Sequence, residues 1–229
     1  MREDDGVPSA GEQELEATLS EATTAADRIA YAAGFIAGRM RRAGIDSVVV
    51  SGRAAVVLAT AADFATLDID LITPEADRLD AVLSELGFSR CHSLQHSWNN
   101  QRLQLAVQVA ASELPRHSAV EEIEAPSGDD VVIWSATDLM LDRIAQAVYG
   151  NASERLEQAL ALRGSAGSDF DAVRAQQRAL DEGGQTAQVL DAFLRLFDAL
   201  SDSGDDDELS YDRARERFWS EIDALRYRR

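Results

Sequence analysis

The spacing of the apolar residues changes near residue 135, and this change constrains the fold more than any other feature of the chain. Before it, short runs rich in β-branched residues, such as Ser47–Ser51 and Leu67–Thr73, are separated by stretches with helical spacing. After it, apolar residues recur every three or four positions, which indicates helices. The helices predicted there span 136–149, 152–163, 169–182, 186–202 and 210–226. We therefore predict an α/β (α+β) fold, with a small mixed sheet flanked by helices over 13–134 and a helical bundle over 135–229.

The N-terminal region divides into a polar tail and a long helix. Residues 1–12 contain two glycines, a proline and few apolar side chains, which is typical of a flexible tail. From 13 to 44 the apolar residues recur every three or four positions, and the pattern stops at Gly44, as helices commonly do. A single helix is therefore predicted over 13–44.

The predicted sheet continues beyond its second strand. Pro74 ends that strand and begins a helix that runs up to Gly87. Two β-like stretches, 89–98 and 103–110, are joined by an Asn-rich connection that suits a hairpin. Val131–Trp134 is predicted as a further strand.

The charge of the chain limits its partners. Lys and Arg together number 22 against 41 Asp and Glu, which gives a formal charge of −19, and every one of the 22 is arginine. This balance argues against duplex DNA as a partner, because phosphate neutralisation needs a dense cationic surface. The carboxylates are spread over every predicted helix, which favours adaptation to a salty cytoplasm, as in halophilic proteins, over attraction of one basic partner.

Compartment and metal binding can also be predicted from composition. No stretch reaches the roughly 18 apolar residues of a membrane helix, and Met1–Asp5 lacks the basic and apolar regions of a signal peptide. A lone cysteine, Cys91, excludes an internal disulfide framework. These features predict a cytoplasmic protein without a membrane partner. A zinc site is disfavoured, because on a strand Cys91 would point away from His92 and His96.

One segment carries the residue types that phosphate chemistry uses. A predicted strand ends in the small-residue turn Ser51-Gly52 and enters a helix, whose first N–H groups can face phosphate oxygens. The next strand, Leu67–Leu71, alternates, so its three apolar residues share one face while Asp68 and Asp70 share the other. Carboxylates spaced in this way can ligate Mg²⁺ together, with waters and substrate phosphate as its other ligands.

The segment Ser51–Ala55 followed by Thr66–Leu71 resembles the turn and the Asp-x-Asp strand of the nucleotidyltransferase superfamily, in particular its AbiEii/MNT-type branch. Downstream, Ser135–Arg143 resembles a helix of that branch, which begins with an Asp-Leu pair and carries a lysine five residues after the Asp. The distinctive motif covers only about twenty residues. The resemblance implies a Mg²⁺-dependent enzyme that transfers a nucleoside monophosphate from an NTP to RNA, a protein or a small molecule.

The resemblance also implies a role for each matching residue. Asp68 and Asp70 would be the catalytic residues and the metal ligands. The residues implied to bind the nucleotide are Ser51, Gly52, Arg53 and Arg143. Several members of the branch are toxins of toxin–antitoxin pairs, so a cognate antitoxin is an expected partner.

Three positions depart from the pattern of the branch. Phe64 stands where the branch usually has an arginine, and Arg143 stands where it has the lysine. A third carboxylate is expected on a later strand, but the candidate strand offers Gln104 and Gln108, whose amides do not ionise at neutral pH. The alternative sources of a general base are Glu121, Glu122 and Glu124. If none of them serves, the chain is a catalytically degenerate member with a binding or regulatory role.

A structural explanation is available for each element as well. An Asp-x-Asp pair on an exposed strand occurs by chance in many proteins, and Arg143 beside Asp142 can form a solvated surface pair. The sequence therefore leaves three hypotheses: an active nucleotidyltransferase, a degenerate binding protein, and an acidic scaffold without a ligand site.

Overall fold

The computed structural model describes residues 7–64, 66–92, 94–150, 152–203 and 208–226. It divides into two compact units, one ending at Ser135 and the other beginning at Ala136. The helices described in the first unit are α1 (Ala10–Leu19), α2 (Ala25–Arg42), α3 (Gly52–Thr60) and α4 (Leu79–Glu85), the last preceded by a 3₁₀ turn (Ala76–Arg78). The strands are β1 (Val49–Ser51), β2 (Asp68–Ile72), β3 (Ser89–Arg90), β4 (Ser97–Asn100), β5 (Leu105–Ala111), β6 (Val120–Glu124) and β7 (Asp130–Trp134).

The seven strands among the described residues form one mixed sheet in the order β3-β4-β5-β2-β1-β7-β6. The central strand β1 pairs antiparallel with β2 and parallel with β7. β2 pairs parallel with β5, and the remaining neighbours are antiparallel. α2 and α3 pack against β1, β2 and β7. This arrangement confirms the predicted α/β (α+β) class, in which helices flank a mixed sheet.

β2 separates an apolar face of the sheet from a polar face. Ile69 and Leu71 are fully buried on one face, whereas Asp68 and Asp70 alternate with them and point to the other. Leu67 was expected to share the apolar face, but β2 begins one residue after it, and Leu67 is 56% exposed, so it does not join the buried residues of that face.

The single helix predicted over 13–44 is in fact two helices. α1 ends at Leu19, and α2 begins at Ala25 behind a capping box. The Oγ1 of Thr24 accepts a hydrogen bond from the N–H of Asp27 (3.0 Å), and the Asp27 carboxylate accepts one from the N–H of Thr24 (3.1 Å). The apolar spacing runs across this break, so periodicity alone could not reveal it.

Part of the predicted flexible tail, 1–12, is helical. Residues 1–6 lie outside the described residues. Ser9 is the N-cap of α1, and its hydroxyl accepts a hydrogen bond from the N–H of Glu12 at 3.0 Å. Glu12 itself is buried, so the first folded element begins before residue 13.

The predicted hairpin is present, because β4 pairs antiparallel with β5. Its connection is 101–104, since Asn99 and Asn100 are the last residues of β4. β6 was not predicted from the sequence. It is the exposed edge strand of the sheet, with three glutamates among its five residues, and such an edge lacks the apolar alternation that marks a buried strand.

The second unit is helical in the part that the structure describes. Its helices are α5 (Ala136–Tyr149), α6 (Arg155–Ala166), α7 (Ala172–Glu182), α8 (Gly184–Ser203) and α9 (Glu208–Arg226), with a 3₁₀ turn at Gly167–Asp169. Their ends lie within three residues of the predicted ones. Residues 204–207, between the helices predicted over 186–202 and 210–226, lie outside the described residues. None of the described helices is long and apolar enough to cross a membrane.

A buried cluster of charges connects two helices of the second unit. Asp138 of α5 is fully buried, and its carboxylate accepts hydrogen bonds from Arg174 and from the Nε of Arg178 (3.1 Å), both on α7. Arg178 also pairs with Glu182 at 2.8 Å. Because the charges compensate one another, the cluster can stay buried and hold α5 against α7.

Candidate functional site

The candidate site begins at the turn where β1 ends and α3 starts. Gly52 has a φ of +65°, which glycine adopts without the steric cost that a side chain brings. The Ser51 hydroxyl donates a hydrogen bond to the backbone carbonyl of Asp70 at 3.3 Å and does not cap α3. The serine therefore links the turn to β2. Because its hydroxyl does not cap α3, the first N–H groups of the helix do not bond to this serine, and such groups can bind an anion.

The side chain of Asp70 lies directly against this turn. A β-carbon added to Gly52 would lie 2.8 Å from the Cγ and 2.9 Å from the Cβ of Asp70. The absence of a side chain at position 52 is thus what allows the carboxylate to approach the helix start. A carboxylate there is stabilised by the partial positive charge of the helix N-terminus.

Asp68 extends the polar face past the end of β1. Ser51 is in register with Asp70, so Asp68, two residues earlier in β2, lies beyond the last residue of β1. Asp68 is exposed and Asp70 is half-buried. At the rise of a strand, their α-carbons are about 7 Å apart, so one divalent ion can contact both carboxylates. The structure therefore brings together four of the predicted site residues: Ser51, Gly52, Asp68 and Asp70.

The position beside Asp70 on the next strand is occupied by an amide. Gln108 of β5 is in register with Asp70 in the parallel β2–β5 pair, and its side chain is exposed. Gln104 lies in the turn before β5, with a φ of +52°, and so is not part of this row. Gln108 can donate or accept hydrogen bonds, but it cannot take up a proton at neutral pH.

The alternative general bases lie on a strand that does not neighbour β2. Glu121, Glu122 and Glu124 belong to β6, which is the third strand from β2. Neighbouring strands are about 4.8 Å apart, which places β6 about 14 Å from β2. A general base must lie within hydrogen-bond reach of the proton that it removes. The strand order therefore lends no support to one of these glutamates as the replacement for the third carboxylate, and that alternative stays a prediction.

The two predicted arginine contacts occupy different units. Arg53 is the second residue of α3, next to the turn, and is half-buried. Arg143 is on α5 in the second unit, and its Nε donates to the Asp142 carboxylate at 3.0 Å. Its side chain is 4% exposed, so the alternative of a solvated surface pair is wrong: the arginine is buried and its partner Asp142 is half-buried. Phe64, which replaces the arginine of the branch, is half-buried.

The row of polar-face residues includes Trp134, the last residue of β7. Val50 is in register with Ile133 in the parallel β1–β7 pair, so the next residues, Ser51 and Trp134, are neighbours on the opposite face. Trp134 was not singled out from the sequence, where it only ended a predicted strand. Its place beside Ser51 depends on the pairing of strands far apart in the chain, and the one signal that could have marked it is a large aromatic residue at a strand end.

The donor set of the site suits a hard divalent cation. Among the described residues, no group of three or more His, Cys, Asp and Glu side chains is placed to hold a metal ion. The site therefore offers two carboxylates, Asp68 and Asp70, with the amide of Gln108 beside them. Mg²⁺ fits such a site, because it prefers oxygen ligands and usually keeps several waters or phosphate oxygens.

Comparisons of the chain with protein-family models, with curated proteins and with solved structures found no match. The resemblance to nucleotidyltransferases therefore stays a prediction. The case for a function depends on the geometry of the turn and the two carboxylates.

Proposed function

We propose that the chain is a Mg²⁺-dependent nucleotidyltransferase, which transfers a nucleoside monophosphate from an NTP to a hydroxyl of RNA, a protein or a small molecule. The observation that carries the proposal is the contact between Asp70 and the glycine turn, with Asp68 on the same face. This arrangement unites the two groups that the chemistry needs, namely carboxylates for a metal and a helix start for phosphate.

Asp68 and Asp70 would hold the metal ion. When bound, Mg²⁺ supplies positive charge that stabilises the phosphate oxygens of the substrate during transfer. Asp70 is fixed from two sides, by the turn at Gly52 and by the hydrogen bond from Ser51 to its carbonyl. Asp68 is exposed and can meet a ligand that approaches from solvent.

The first N–H groups of α3 would bind phosphate oxygens of the NTP. In the reaction, the acceptor hydroxyl oxygen attacks the α-phosphorus, the bond to pyrophosphate breaks, and the hydroxyl releases its proton to solvent water. Phosphoryl transfer depends mainly on positioning and charge stabilisation rather than on covalent help from the protein. Gln108 lacks the general base and the charged metal ligand that a third carboxylate would provide. We therefore expect transfer to be slow, but not abolished.

The proposal is tested by incubating the chain with labelled NTPs, Mg²⁺ and candidate acceptors in molar salt. Asp70→Asn removes the charge of the central ligand with little change in shape. Asp46→Asn is a matched control, because Asp46 is exposed and lies outside the site. We expect label transfer by the unchanged chain and the control, and its loss in Asp70→Asn. Equal labelling by all three proteins would sink the enzymatic claim.

A second function is favoured by a specific observation, the amide in register with Asp70. In this alternative the chain binds Mg²⁺ and NTP without transfer and regulates a partner, such as a cognate antitoxin. The pairing of Arg143 with Asp142 also favours it, because that arginine is already engaged. Calorimetry with Mg²⁺ and NTP separates the two functions: binding that requires Asp70, with no labelled product from any acceptor, supports the regulatory protein.

A further inference from the structure

The outer edge of β6 carries backbone groups that the β6–β7 pair does not use. At the two ends of this pair, Ser135 donates its N–H to the carbonyl of Ala119, and Ala125 donates its N–H to the carbonyl of Asp129. Residues of an antiparallel strand alternate between those bonded to the neighbouring strand and those directed away from it. The outward groups are therefore the N–H and C=O of the even-numbered residues, Val120, Glu122 and Glu124.

The edge can take up a further strand. β6 is the last strand in the sheet order, and no backbone hydrogen bond to another described residue involves the outward groups. Every side chain of β6 except that of Ile123 is exposed. An open edge of this kind pairs with an extended segment of another chain, because its donors and acceptors are already aligned for a strand.

The charge of the edge selects its occupant. Three of the five residues of β6 are glutamates. Glu122 pairs with Arg41 of α2 at 2.8 Å, whereas among the described residues no cation pairs with Glu124. A second copy of the chain would bring glutamates against glutamates, and like charges facing each other across a strand pair are destabilising. A segment rich in arginine or lysine brings the opposite charge.

A cavity adjoins the end of this edge and suits a cationic side chain. Its volume is about 420 Å³, and Glu124 forms part of its wall. The rest of the wall comes from α2, from α3 and the residue after it, and from the turn after β6. It is mainly aliphatic, with Asp27 as the second carboxylate. Hydrogen bonds from Thr23 and Thr24 lower the pKa of Asp27, which keeps it charged at neutral pH. Arginine and lysine pack their methylene groups on apolar surface and keep their charge near such carboxylates.

We propose that β6 is a docking edge for an extended segment of another protein that is rich in arginine or lysine. The segment adds to the sheet beside β6 and places one cationic side chain, that of the residue opposite Glu124, in the cavity. The main-chain hydrogen bonds provide affinity, and the carboxylates select the sign of the charge. The proposal does not rest on nucleotide transfer, since β6 is the third strand from β2.

The proposal is tested by fluorescence anisotropy with three labelled peptides, at the lowest salt concentration that keeps the chain folded by circular dichroism. The first peptide alternates arginine and valine. The second is the same peptide methylated at every backbone nitrogen, which keeps the charge and removes the donors. The third has citrulline in place of arginine, which keeps the shape and removes the charge. We expect the first to bind, and the other two to bind roughly tenfold more weakly or less.

Two pairs of variants locate the binding edge. Val120→Pro removes an outward N–H at the first residue of the strand, a position where an edge tolerates proline, and Val120→Thr is the matched control that keeps it. Glu124→Gln removes a charge of the edge. Its control is Glu85→Gln, at an exposed residue of α4, which packs against β3 at the opposite edge of the sheet. We expect Val120→Pro to weaken the first peptide by roughly five- to tenfold and Glu124→Gln by roughly two- to fivefold. Both controls and Asp70→Asn should bind as the unchanged chain does.

Several outcomes would overturn the proposal. If the methylated peptide binds as tightly as the first, the chain attracts cations without adding a strand. Equal binding of the citrulline peptide would exclude a cationic partner. If Glu124→Gln and a Val120→Pro variant that is folded by circular dichroism both bind like their controls, β6 is not the edge that is used. Sedimentation of the chain alone gives the last outcome, because a dimer that Val120→Pro abolishes would make a second copy the occupant.

Discussion

The carboxylate of Asp70 occupies the space in which the side chain of any other residue at position 52 would begin. The distance from such a β-carbon to the Cγ of Asp70 would be 2.8 Å, and the backbone of Gly52 has a φ of +65°. The glycine of the turn and the second aspartate of the Asp-x-Asp strand therefore depend on each other. This dependence gives a physical reason for finding the two motifs in one chain.

Gly52→Ala is expected to destabilise the first unit and to displace Asp70. The positive φ alone costs about 1–2 kcal/mol for a residue with a β-carbon, and the overlap with Asp70 adds to it, so the free energy of unfolding falls by about 3 kcal/mol or more. Gly128→Ala is the matched control, because Gly128 has a φ of +79° with nothing within 4 Å of the added carbon. Denaturant unfolding of both variants measures the difference. An equal loss of unfolding free energy in the two variants would mean that the added carbon at position 52 does not overlap with Asp70.

Gln108→Asp is expected to strengthen metal binding and to raise transfer. The new carboxylate would lie beside Asp70 in register, where it adds a charged oxygen ligand and a group that can accept a proton. A positioned general base contributes about 10²-fold or more to the rate. Gln104→Asp makes the same change in the turn before β5 and serves as the control. Mg²⁺ titration and initial rates of label transfer check the prediction, which fails if both variants behave alike.

The sequence was sufficient to predict those features of the site that depend on residues close together in the chain. The alternation in β2 placed Asp68 and Asp70 on one face, and the small residues after β1 marked a turn. What could not be predicted depends on pairing between distant strands. The register of Asp70 with Gln108, and the distance between β2 and the glutamates of β6, follow from the strand order and not from any local pattern.

The boundary between α1 and α2 also could not be predicted from the spacing of apolar residues. The apolar period continues across the gap between α1 and α2, because both helices bury one face. The break is decided by polar contacts, the capping box of Thr24 and Asp27. Arg143 was predicted as a nucleotide contact from its spacing after Asp138, with a solvated pair with Asp142 as the alternative, and only the side-chain geometry revealed that the arginine of this pair is buried.

Asp138→Asn is expected to destabilise the second unit severely. The substitution keeps the shape but leaves the buried guanidinium of Arg178 without its charged partner on α5. Breaking a buried ion pair in this way costs about 3–5 kcal/mol. Glu221→Gln provides the comparison, because it removes the partner of the exposed Arg195, a kind of pair that contributes about 1 kcal/mol or less. Denaturant unfolding should separate the two variants, and similar losses would show that the Asp138 cluster is not important for stability.

Glu12 is expected to make folding stability depend on pH in the acid range. Burial raises the pKa of this carboxyl, but hydrogen bonds from Arg102 (2.9 Å) and Asn100 (3.1 Å) favour the charged form, and the net pKa is lowered from 4.5. A lowered pKa means that the folded state binds its proton less readily than the unfolded state. The stabilisation is therefore complete above the unfolded pKa and is lost as the pH falls through the folded one.

The measurement is the difference in unfolding free energy between the unchanged chain and Glu12→Gln, followed from about pH 6 to about pH 3. We expect the difference to shrink as the pH falls. Glu21→Gln, at an exposed position, should show no such trend. A difference for Glu12→Gln that stays constant over the range would contradict the assigned direction of the pKa.

The most direct test of the proposed function is a crystal structure of the chain with Mn²⁺ in place of Mg²⁺ and a non-hydrolysable NTP, grown or soaked in molar salt. The account predicts an anomalous peak between Asp68 and Asp70, with an oxygen of each carboxylate bound to the ion, and triphosphate oxygens at the first N–H groups of α3. A nucleotide bound elsewhere, or no metal between these two carboxylates at saturating concentrations, would contradict it.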